Sequence, residues 1–238
     1  MKLRTQDAQP LYKQIVQAIQ HSIQSGEYPE GSRLPSEQEL SELFHVSRIT
    51  VRTALKELAD EELVIRRQGK GTYVGKKKFK RNLSLVTSFS EACRDMGRVP
   101  GAKLLFSGLE PATEADCAAL QISPGDEVVC LRRLRYADSI PVSVEEDRFP
   151  LRYSFLLGED LTDRSLLELL REKYGIYFYD VHRRIELVYA THSIAQLLNL
   201  PIKSPLLYIV SNGLDNLTNQ PGQRSLQYII GQDFTFYT

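Results

Sequence analysis

The clearest pattern of hydrophobic and polar positions lies between residues 31 and 75. Ser36 and Glu39 have the spacing of a capping box, which predicts that a helix begins directly after Ser36. The apolar stripe of this helix is about two turns long and consists of Leu40, Leu43 and Phe44. His45 and Val46 then form a break, so the first helix is short.

A second helix is predicted from Ser47, its N-cap, to about Asp60. Its apolar sector consists of Val51, Ala54, Leu55 and Leu58. Basic residues recur every four positions on a different stripe, which predicts that they face solvent: Arg48, Arg52 and Lys56. Two capped helices with a short break, the second carrying a basic stripe, are typical of a helix-turn-helix.

Two strand-like runs follow, Val64–Gln68 and Thr72–Val74, on either side of a glycine-rich turn. They predict a β-hairpin, or wing. Its basic residues are suited to binding phosphates, and they are Arg66, Arg67 and Lys70. Gly69 and Gly71 would let the backbone approach a groove closely. Upstream, Leu11, Ile15, Ile19 and Ile23 predict a helix that packs against this motif.

The stretch LPSEQELSELFHVSRITVRTALKELADEELVIRRQGKGTYV resembles the winged helix-turn-helix of the GntR family of bacterial transcription regulators, and the resemblance covers residues 8–75. It implies a protein that binds double-stranded operator DNA. Arg48 and Arg52 are then candidates for contacts to base edges or adjacent phosphates. The full set of predicted DNA-binding residues is Arg33, Ser36, Glu37, Ser47, Arg48, Thr50, Arg52, Gly69, Lys70 and Thr72.

The remaining chain predicts a larger α+β domain with a mostly antiparallel sheet. Helical patterns cover residues 89–96, 114–120, 165–174 and 192–198, and strand patterns cover 103–109, 127–136, 142–149, 177–189, 206–214 and 227–236. Residues 112–129 and 190–207 align at an offset of 78, which suggests two similar halves that share one sheet with a cleft between them. The basic run KKKFKR marks the boundary. We therefore expect domains at 1–75 and 83–238, with a linker at 76–82.

Arg133 and Arg135 are two residues apart on a predicted strand, so their side chains leave the same face. Two adjacent guanidinium groups need either an anionic ligand or carboxylates to neutralise them. If the loop at 138–140 has three residues, Glu145 lies opposite Arg133. The pattern therefore fits an anion site or a cross-strand ion-pair ladder. Ser165 opens the next helix, as a plain N-cap or as part of an anion site.

The segments LRRLRYADSIPVSVEEDRFP and SLLELLREKYGI resemble the effector-binding domain of the HutC subfamily of GntR regulators, which carries the UTRA-type domain and is related in fold to chorismate lyase. The resemblance covers residues 83–236. It implies that Arg133, Arg135 and Ser165 hold the phosphate of an amino-sugar phosphate and that Glu145 contacts the sugar. It also places Phe89, Ser90, before the first helix of the domain, and Tyr228, on the last strand, in the cleft wall.

The end of the chain departs from that family pattern, because Arg224 stands where family members commonly carry an acidic residue, whereas Asp233 is retained. The contacts at the sugar end are therefore expected to differ. The alternatives are a carboxylate effector, or a constitutive DNA-binding protein whose larger domain only dimerises. An enzyme related to chorismate lyase is not favoured, because the pattern offers no nucleophile–base pair, metal cluster or phosphate loop.

The chain has 30 Lys and Arg residues and 30 Asp and Glu residues, but residues 1–81 carry 15 basic and 10 acidic side chains. A basic N-terminal part on an acidic body is typical of a DNA-binding head. Three widely spaced cysteines, Cys93, Cys117 and Cys130, suit reduced thiols, and neither they nor the four histidines have metal-ligand spacing. We expect a cytoplasmic homodimer with no cofactor, metal or membrane segment.

Overall fold

The computed structural model describes residues 9–75, 78–83 and 86–237. The chain divides into two compact units between Lys77 and Lys78. The first unit contains three helices and a hairpin: α1 (Leu11–Gln24), α2 (Glu37–Phe44), α3 (Arg48–Asp60), β1 (Val64–Arg67) and β2 (Gly71–Val74). This order is that of a winged helix-turn-helix.

Local capping explains where the helices of the first unit begin. The backbone N–H of Glu39 donates to Ser36 Oγ at 3.2 Å, and the Ser36 N–H donates to Glu39 Oε2 at 2.7 Å. His45 ends α2 in the left-handed conformation, with φ of 53°. Ser47 then caps α3 by accepting from the Thr50 N–H. The predicted capping box, break and second cap are therefore confirmed.

The three helices share one apolar core with the base of the hairpin. Its fully buried members come from one face of each helix and include Ile15, Leu40, Val51, Leu55 and Leu58. A salt bridge of 2.7 Å between Lys13 and Glu57 also joins α1 to α3. The core fixes the orientation of α3, whose opposite face carries the exposed basic residues.

The second unit is built on a six-stranded antiparallel sheet with the order β4-β5-β6-β9-β8-β7. The sheet strands are β4 (Pro100–Pro111), β5 (Glu127–Ala137), β6 (Ile140–Pro150), β7 (Phe178–Tyr189), β8 (Pro205–Asp215) and β9 (Pro221–Ile229). The helices are α4 (Phe89–Asp95), α5 (Glu114–Leu120), α6 (Leu166–Tyr174) and α7 (His192–Leu197), and 3-10 helices cover Leu151–Gly158 and Gly231–Asp233. The α+β architecture is as predicted.

The internal repeat of the sequence corresponds to a pseudo-two-fold arrangement of the sheet. The first half runs α4-β4-α5-β5-β6, the second runs α6-β7-α7-β8-β9, and the central pair β6–β9 joins them. An offset of 78 carries β4 onto β7 and β5 onto β8 residue for residue. Helices α4 and α6 cover one face of the sheet, and α5 and α7 cover the other.

Two boundaries in this unit differ from the sequence prediction. Residues 79–82, expected to be linker, form strand β3 (Phe79–Asn82), which pairs in parallel with β10 (Phe234–Tyr237). The last predicted strand, 227–236, is two strands, because the chain leaves the sheet after Ile229 through a short 3-10 helix. Phe79 packs on Phe234 with ring centroids 5.0 Å apart, so the one apolar residue of the basic run belongs to the core.

Asp116 of α5 connects the two halves on the α5/α7 face. Its buried carboxylate accepts hydrogen bonds from Arg148 of β6 at 3.0 Å and from Arg224 of β9 at 2.7 Å. Although burial alone would raise the pKa of Asp116, hydrogen bonds from Thr113 and the two arginines lower it, so the group is ionised at neutral pH. Arg224, at the position that departs from the family pattern, therefore has a structural partner.

We expect Asp116→Asn to destabilise the protein by about 3 kcal/mol, because it leaves two arginine side chains without their buried carboxylate. Urea unfolding at pH 7 measures the difference. Glu114→Gln on the exposed side of α5 is the matched control and should change stability by less than about 0.5 kcal/mol. Equal stability of the two variants would show that Asp116 does not hold the halves together.

Candidate functional site

A cavity opens on the α4/α6 face of the second unit, where the two halves meet. Both halves contribute charged or polar side chains to its wall, and the first residues of α4 and α6 border it. The lining residues include Arg81, Ser88, Phe89, Arg133, Arg135, Glu145, Asp147, Ser165, Arg183, Ser211, Gln223, Ser225 and Gln227.

Arg133 and Arg135 meet carboxylates of β6 inside this cavity. Arg133 Nη2 lies 3.0 Å from Glu145 Oε2 and 3.1 Å from Asp147 Oδ2, and Arg135 Nη1 lies 3.2 Å from Glu145 Oε2. All four side chains are buried. The ion-pair ladder, one of the two alternatives, is therefore present. The loop between the strands has two residues, Asp138 and Ser139, and a bulge restores the register that pairs Arg133 with Glu145.

The ladder leaves part of Arg133 unsatisfied. Its Nε and Nη1 atoms are buried and have no hydrogen-bond partner among the described residues. Buried guanidinium N–H groups without an acceptor are costly and rare, so such groups at a cavity wall point to a ligand. Arg133 thus belongs to a ladder that still has donors for an anion.

Burial and charge act in opposite directions on the two carboxylates. Burial alone would raise the pKa of Glu145, but Arg135, Arg133 and Arg81 outweigh it and lower that pKa. Burial raises the pKa of Asp147, helped by the negative charge of Glu145 and opposed by Arg133. Glu145 is therefore the ionised partner, whereas Asp147 is the carboxyl that accepts a proton more readily.

The starts of α4 and α6 lie at the cavity. Ser88 caps α4, and Ser165 caps α6 by accepting from the Glu168 N–H at 3.3 Å. Arg135 donates to Ser90 Oγ at 2.8 Å and lies over the Phe89 ring at 5.0 Å. Phe89 and Ser90 are in the first turn of α4, as the helical pattern at 89–96 predicted, and not in the segment before the helix, where the family resemblance put them. Their positions beside Arg135 still bring them into the predicted cluster.

Tyr228 is not part of the cavity wall. It lies on β9, which is not the last strand, and its side chain faces α7, 4.7 Å from the ring of Tyr208. Alternation along a strand sends residues 227 and 228 to opposite faces. The side chains of β9 that line the cavity are Gln223, Ser225 and Gln227. Polar residues stand at every second position from 223 to 227, and this alternation was the sequence signal that could have identified them.

Sequence reasoning also missed two arginines of the cavity. Arg81 lies on β3, within the segment that was expected to be linker, and donates to Gln227 Oε1 at 2.7 Å. Arg183 lies on β7 and donates to the backbone carbonyl of Leu83. In the sequence nothing distinguishes Arg81 from the rest of the basic run. Only the pairing of β3 with β10 brings it to the cavity.

The predicted DNA-binding residues lie along one surface of the first unit. Arg48 and Arg52 are exposed on α3, and Ser47 and Thr50 lie at its start. Arg52 Nη2 lies 3.0 Å from Glu37 Oε2, and Arg66 of the wing forms a salt bridge to the same carboxylate. Glu37 therefore holds two basic side chains, and its own charge disfavours direct contact with phosphate.

The wing completes this surface. Arg33, Ser36, Gly69 and Thr72 line a concavity between the start of α2 and the wing, and Lys70 is exposed in the wing turn. Gly69 has φ of 70°, as a tight turn requires. Thr72 is 9% exposed, so little of its side chain is available to a phosphate. Arg48 donates to Gln38 at 2.6 Å, which keeps it at the α2–α3 corner.

The described residues contain one grouping with possible metal ligands: Glu110, Cys130 and Glu146. Both carboxylates already accept hydrogen bonds from Arg132, and burial raises the pKa of Cys130 to about 12. A thiol in this state is a poor metal ligand, since metals bind the thiolate. The three cysteines are free. Within the described part of the chain, no helix has the length and apolarity needed to cross a membrane.

A basic winged helix-turn-helix joined to a domain with an arginine-lined cavity defines a ligand-responsive DNA-binding protein. Comparisons with known proteins agree. Residues 11–74 match the model described as bacterial regulatory proteins, gntR family, and residues 95–235 match the UTRA domain. The chain belongs to the GntR family of transcription regulators, in the group with a UTRA domain, and is a regulator rather than an enzyme.

Individual relatives span nearly the whole chain. The transcriptional repressor NagR of Bacillus subtilis (strain 168) is 32% identical over 209 residues, which are 88% of this chain and 86% of NagR. MngR of Escherichia coli (strain K12), the mannosyl-D-glycerate transport/metabolism system repressor, is 32% identical over 204 residues, 86% and 85% of the two chains. The structure of PhnF from Mycobacterium smegmatis superposes with a TM-score of 0.76 at 25% identity and covers 96% of this chain and 97% of PhnF.

Glu145→Gln tests whether the buried ladder accepts an anion. The variant should lose about 3 kcal/mol of stability, because Arg133 and Arg135 lose the ionised carboxylate that they share. Inorganic phosphate should then raise its melting temperature more than that of the wild type, since phosphate replaces the missing charge.

Glu146→Gln is the matched control for this measurement. Glu146 is the next residue of β6, points to the other face and accepts from Arg132 and Arg148. Its loss should also destabilise the protein, but without recovery in phosphate. If phosphate stabilises the Glu145→Gln and Glu146→Gln variants equally, phosphate does not bind specifically to the arginines that face Glu145, and the anion site is contradicted.

Proposed function

We propose that the protein is a repressor that binds a near-palindromic operator as a dimer and is released by a small anionic metabolite, a sugar phosphate. The observation that carries this proposal is that two buried nitrogen atoms of Arg133, Nε and Nη1, have no hydrogen-bond partner among the described residues and lie at the cavity between the two halves. NagR and MngR are both named as repressors, which supports repression over activation.

The first unit supports binding in the major groove. Ser47 caps α3, and the exposed side chains at the start of this helix include the basic Arg48 and Arg52 and the apolar Ile49. In a winged helix-turn-helix the N-terminal end of this helix meets base edges, and the wing and the start of α2 hold the backbone. On DNA, we expect Arg52 and Arg66 to exchange Glu37 for phosphate, with Glu37 limiting how tightly non-specific DNA is held.

The cavity supports an effector with a phosphate. A guanidinium presents paired N–H groups to the oxygens of a phosphate, and the start of α6 at Ser165 adds free backbone amides. A carboxylate effector is the second candidate, and the name of MngR favours it, because glycerate is a carboxylic acid. Glu145 and the β9 side chains Gln223 and Gln227 provide acceptors and donors for hydroxyl groups.

Effector binding must favour one state of the protein over another if it is to release DNA. In our proposal the anion draws Arg133, Arg135 and the start of α6 together. This changes the path of the chain that enters the second unit, and the two heads of a dimer no longer match successive major grooves. A single head makes few phosphate contacts, so losing that spacing is enough to lose specific binding.

We place the dimer contact at the edge strand β7. Ile185, Leu187 and Tyr189 share one face of this strand and are exposed, Leu187 by 64%. The opposite edge, β4, exposes one large apolar residue, Leu109. If two β7 strands pair antiparallel about Ile185, Arg184 of each copy faces Glu186 of the other. An apolar row with complementary charges is suited to a two-fold contact.

Selection of DNA from a random pool by the full-length protein tests the regulator itself. The enriched sequence should be an inverted repeat. Sugar phosphates and small carboxylates are then added to the complex, and one class should weaken binding by about 5- to 150-fold. Arg133→Gln should remove this response. Binding that no metabolite changes would favour the constitutive DNA-binding alternative.

Arg52→Ala provides the control on the DNA side of that experiment. It should weaken binding to the selected sequence by about 1–3 kcal/mol without changing the relative effect of the metabolite. Lys203→Ala, an exposed change in the second unit, should leave DNA affinity unaltered.

Leu187→Glu tests the proposed dimer contact, because a charge in an apolar interface is strongly unfavourable. Light scattering should show a shift from dimer to monomer, together with weaker operator binding. Leu217→Glu is a matched control, since Leu217 is equally exposed, at 63%, in the turn between β8 and β9. If the Leu187→Glu variant is still a dimer, the dimer contact is not at β7.

A further inference from the structure

Ile49 is an unusually exposed apolar residue of the first unit. It is the second residue of α3, and of the large apolar side chains that the structure describes it is the most exposed, at 75%. Single apolar side chains are common on protein surfaces, so exposure alone indicates no function. The direction of this side chain and the charge of its neighbours indicate what it contacts.

Ile49 points directly away from the core of the first unit. Successive residues of an α-helix are turned by about 100°, which places Ile49 about 170° from the mean direction of the buried residues of α3. Those buried residues are Val51, Ala54, Leu55 and Leu58. Because the packed core fixes the orientation of α3, Ile49 lies at the centre of the outward face, near the N-terminal end of the helix.

The outward face around Ile49 is basic. Arg52 and Thr53 lie one turn further along α3, Lys56 lies one turn beyond them, and all three are exposed. Residues 48–54, the first two turns, contain no acidic side chain. A basic surface is complementary to the phosphates that border the grooves of double-stranded DNA. The surroundings therefore favour DNA over an apolar protein surface as the partner that covers Ile49.

The two arginines beside Ile49 are held on one side of it. Arg48 donates to Gln38 at 2.6 Å, and Arg52 Nη2 lies 3.0 Å from Glu37 Oε2. Gln38 and Glu37 both belong to α2, so both guanidinium groups turn toward that helix. Ile49 remains uncovered, and its side chain meets the base edges when the start of α3 enters a major groove.

The base edges of the major groove offer one apolar group that matches an isoleucine. Every base pair presents hydrogen-bond donors or acceptors there, and only thymine adds a methyl group, at C5. An isoleucine that covered a polar edge would remove water without replacing its hydrogen bonds, which is unfavourable. Against a thymine methyl group, apolar surface of both molecules leaves water, which is favourable. The branched Cβ also restricts the side-chain rotamers, so little conformational entropy is lost.

We propose that Ile49 contacts the C5 methyl group of one thymine in each half-site of the operator and thereby helps to select the DNA sequence. Arg48 and Arg52 bind bases or phosphates on one side of this contact. A base without the methyl group at the same position, cytosine or uracil, binds less tightly. This inference rests on the proposed function, namely that the protein binds an operator through the start of α3.

Replacement of single thymines by deoxyuridine tests the contact, because it removes only the methyl group. The DNA is the operator selected from a random pool by the full-length protein, and affinities are measured at one salt concentration. We expect one thymine in each half-site at which the replacement weakens binding by about 4-fold, and by about 15-fold when both half-sites are changed. If the protein binds every deoxyuridine operator as tightly as the thymine operator, the contact is refuted while operator binding stands.

Variants assign the methyl contact to a residue. Ile49→Ala should bind the thymine and deoxyuridine operators equally at that position, and its melting temperature should be unchanged because the side chain is exposed. Ile49→Val, which keeps a branched Cβ, should retain part of the preference. Leu43→Ala is the matched control, since Leu43 is an apolar residue of α2 that is 54% exposed, and it should retain the full preference.

Two results with Ile49→Ala would contradict the proposal. An undiminished preference for thymine would show that another residue contacts the methyl group. An equal loss of affinity for all operators, with and without the methyl group, would show that Ile49 contributes to affinity and not to sequence selection. If no sequence is enriched from the random pool, the proposed operator binding fails, and the methyl contact fails with it.

Discussion

Burial of two arginines on one face of β5 is the constraint on which the rest of the second unit depends. An unpaired buried guanidinium is too costly to retain, so the neighbouring strand must place carboxylates opposite it. The bulge after Arg135 gives β6 the register that does so. A shift of one residue would bring Glu146 to the cavity and remove Glu145, and both faces of the sheet would lose their ion pairs.

The pseudo-two-fold sheet uses its two faces differently. On the α5/α7 face, Asp116 joins β6 of one half to β9 of the other through fully paired charges. On the α4/α6 face the charges are incompletely paired, with unsatisfied donors on Arg133. A fully paired network rigidifies a structure, whereas an incompletely paired one gains free energy when a ligand supplies the missing acceptor. The first face is therefore suited to holding the halves together and the second to sensing.

Elements defined by local chemistry could be predicted from the sequence. Ser36, Ser47 and Ser165 fixed the starts of three helices, because a cap depends on residues three positions away. The alternation of β5 and β6 was equally local, and it identified Arg133, Arg135 and Glu145. Features that depend on distant pairing could not be predicted: Arg81 looks like linker until β3 meets β10, and the apolar run Ile229–Ile230 conceals the end of β9.

The position of β3 bears on how the cavity communicates with the DNA-binding unit. Any influence carried by the chain must pass the boundary at Lys77 and Lys78, and β3 is the first strand beyond it. Its Arg81 reaches the cavity, while its backbone pairs with β10. A ligand that contacts only Arg133 acts on β3 through intervening groups, whereas one that contacts Arg81 acts on it directly. A ligand shifts the equilibrium between two states of the protein only by the difference between its affinities for them. Because β3 leads to the DNA-binding unit, a ligand contact on β3 that differs between the two states would affect that unit most directly.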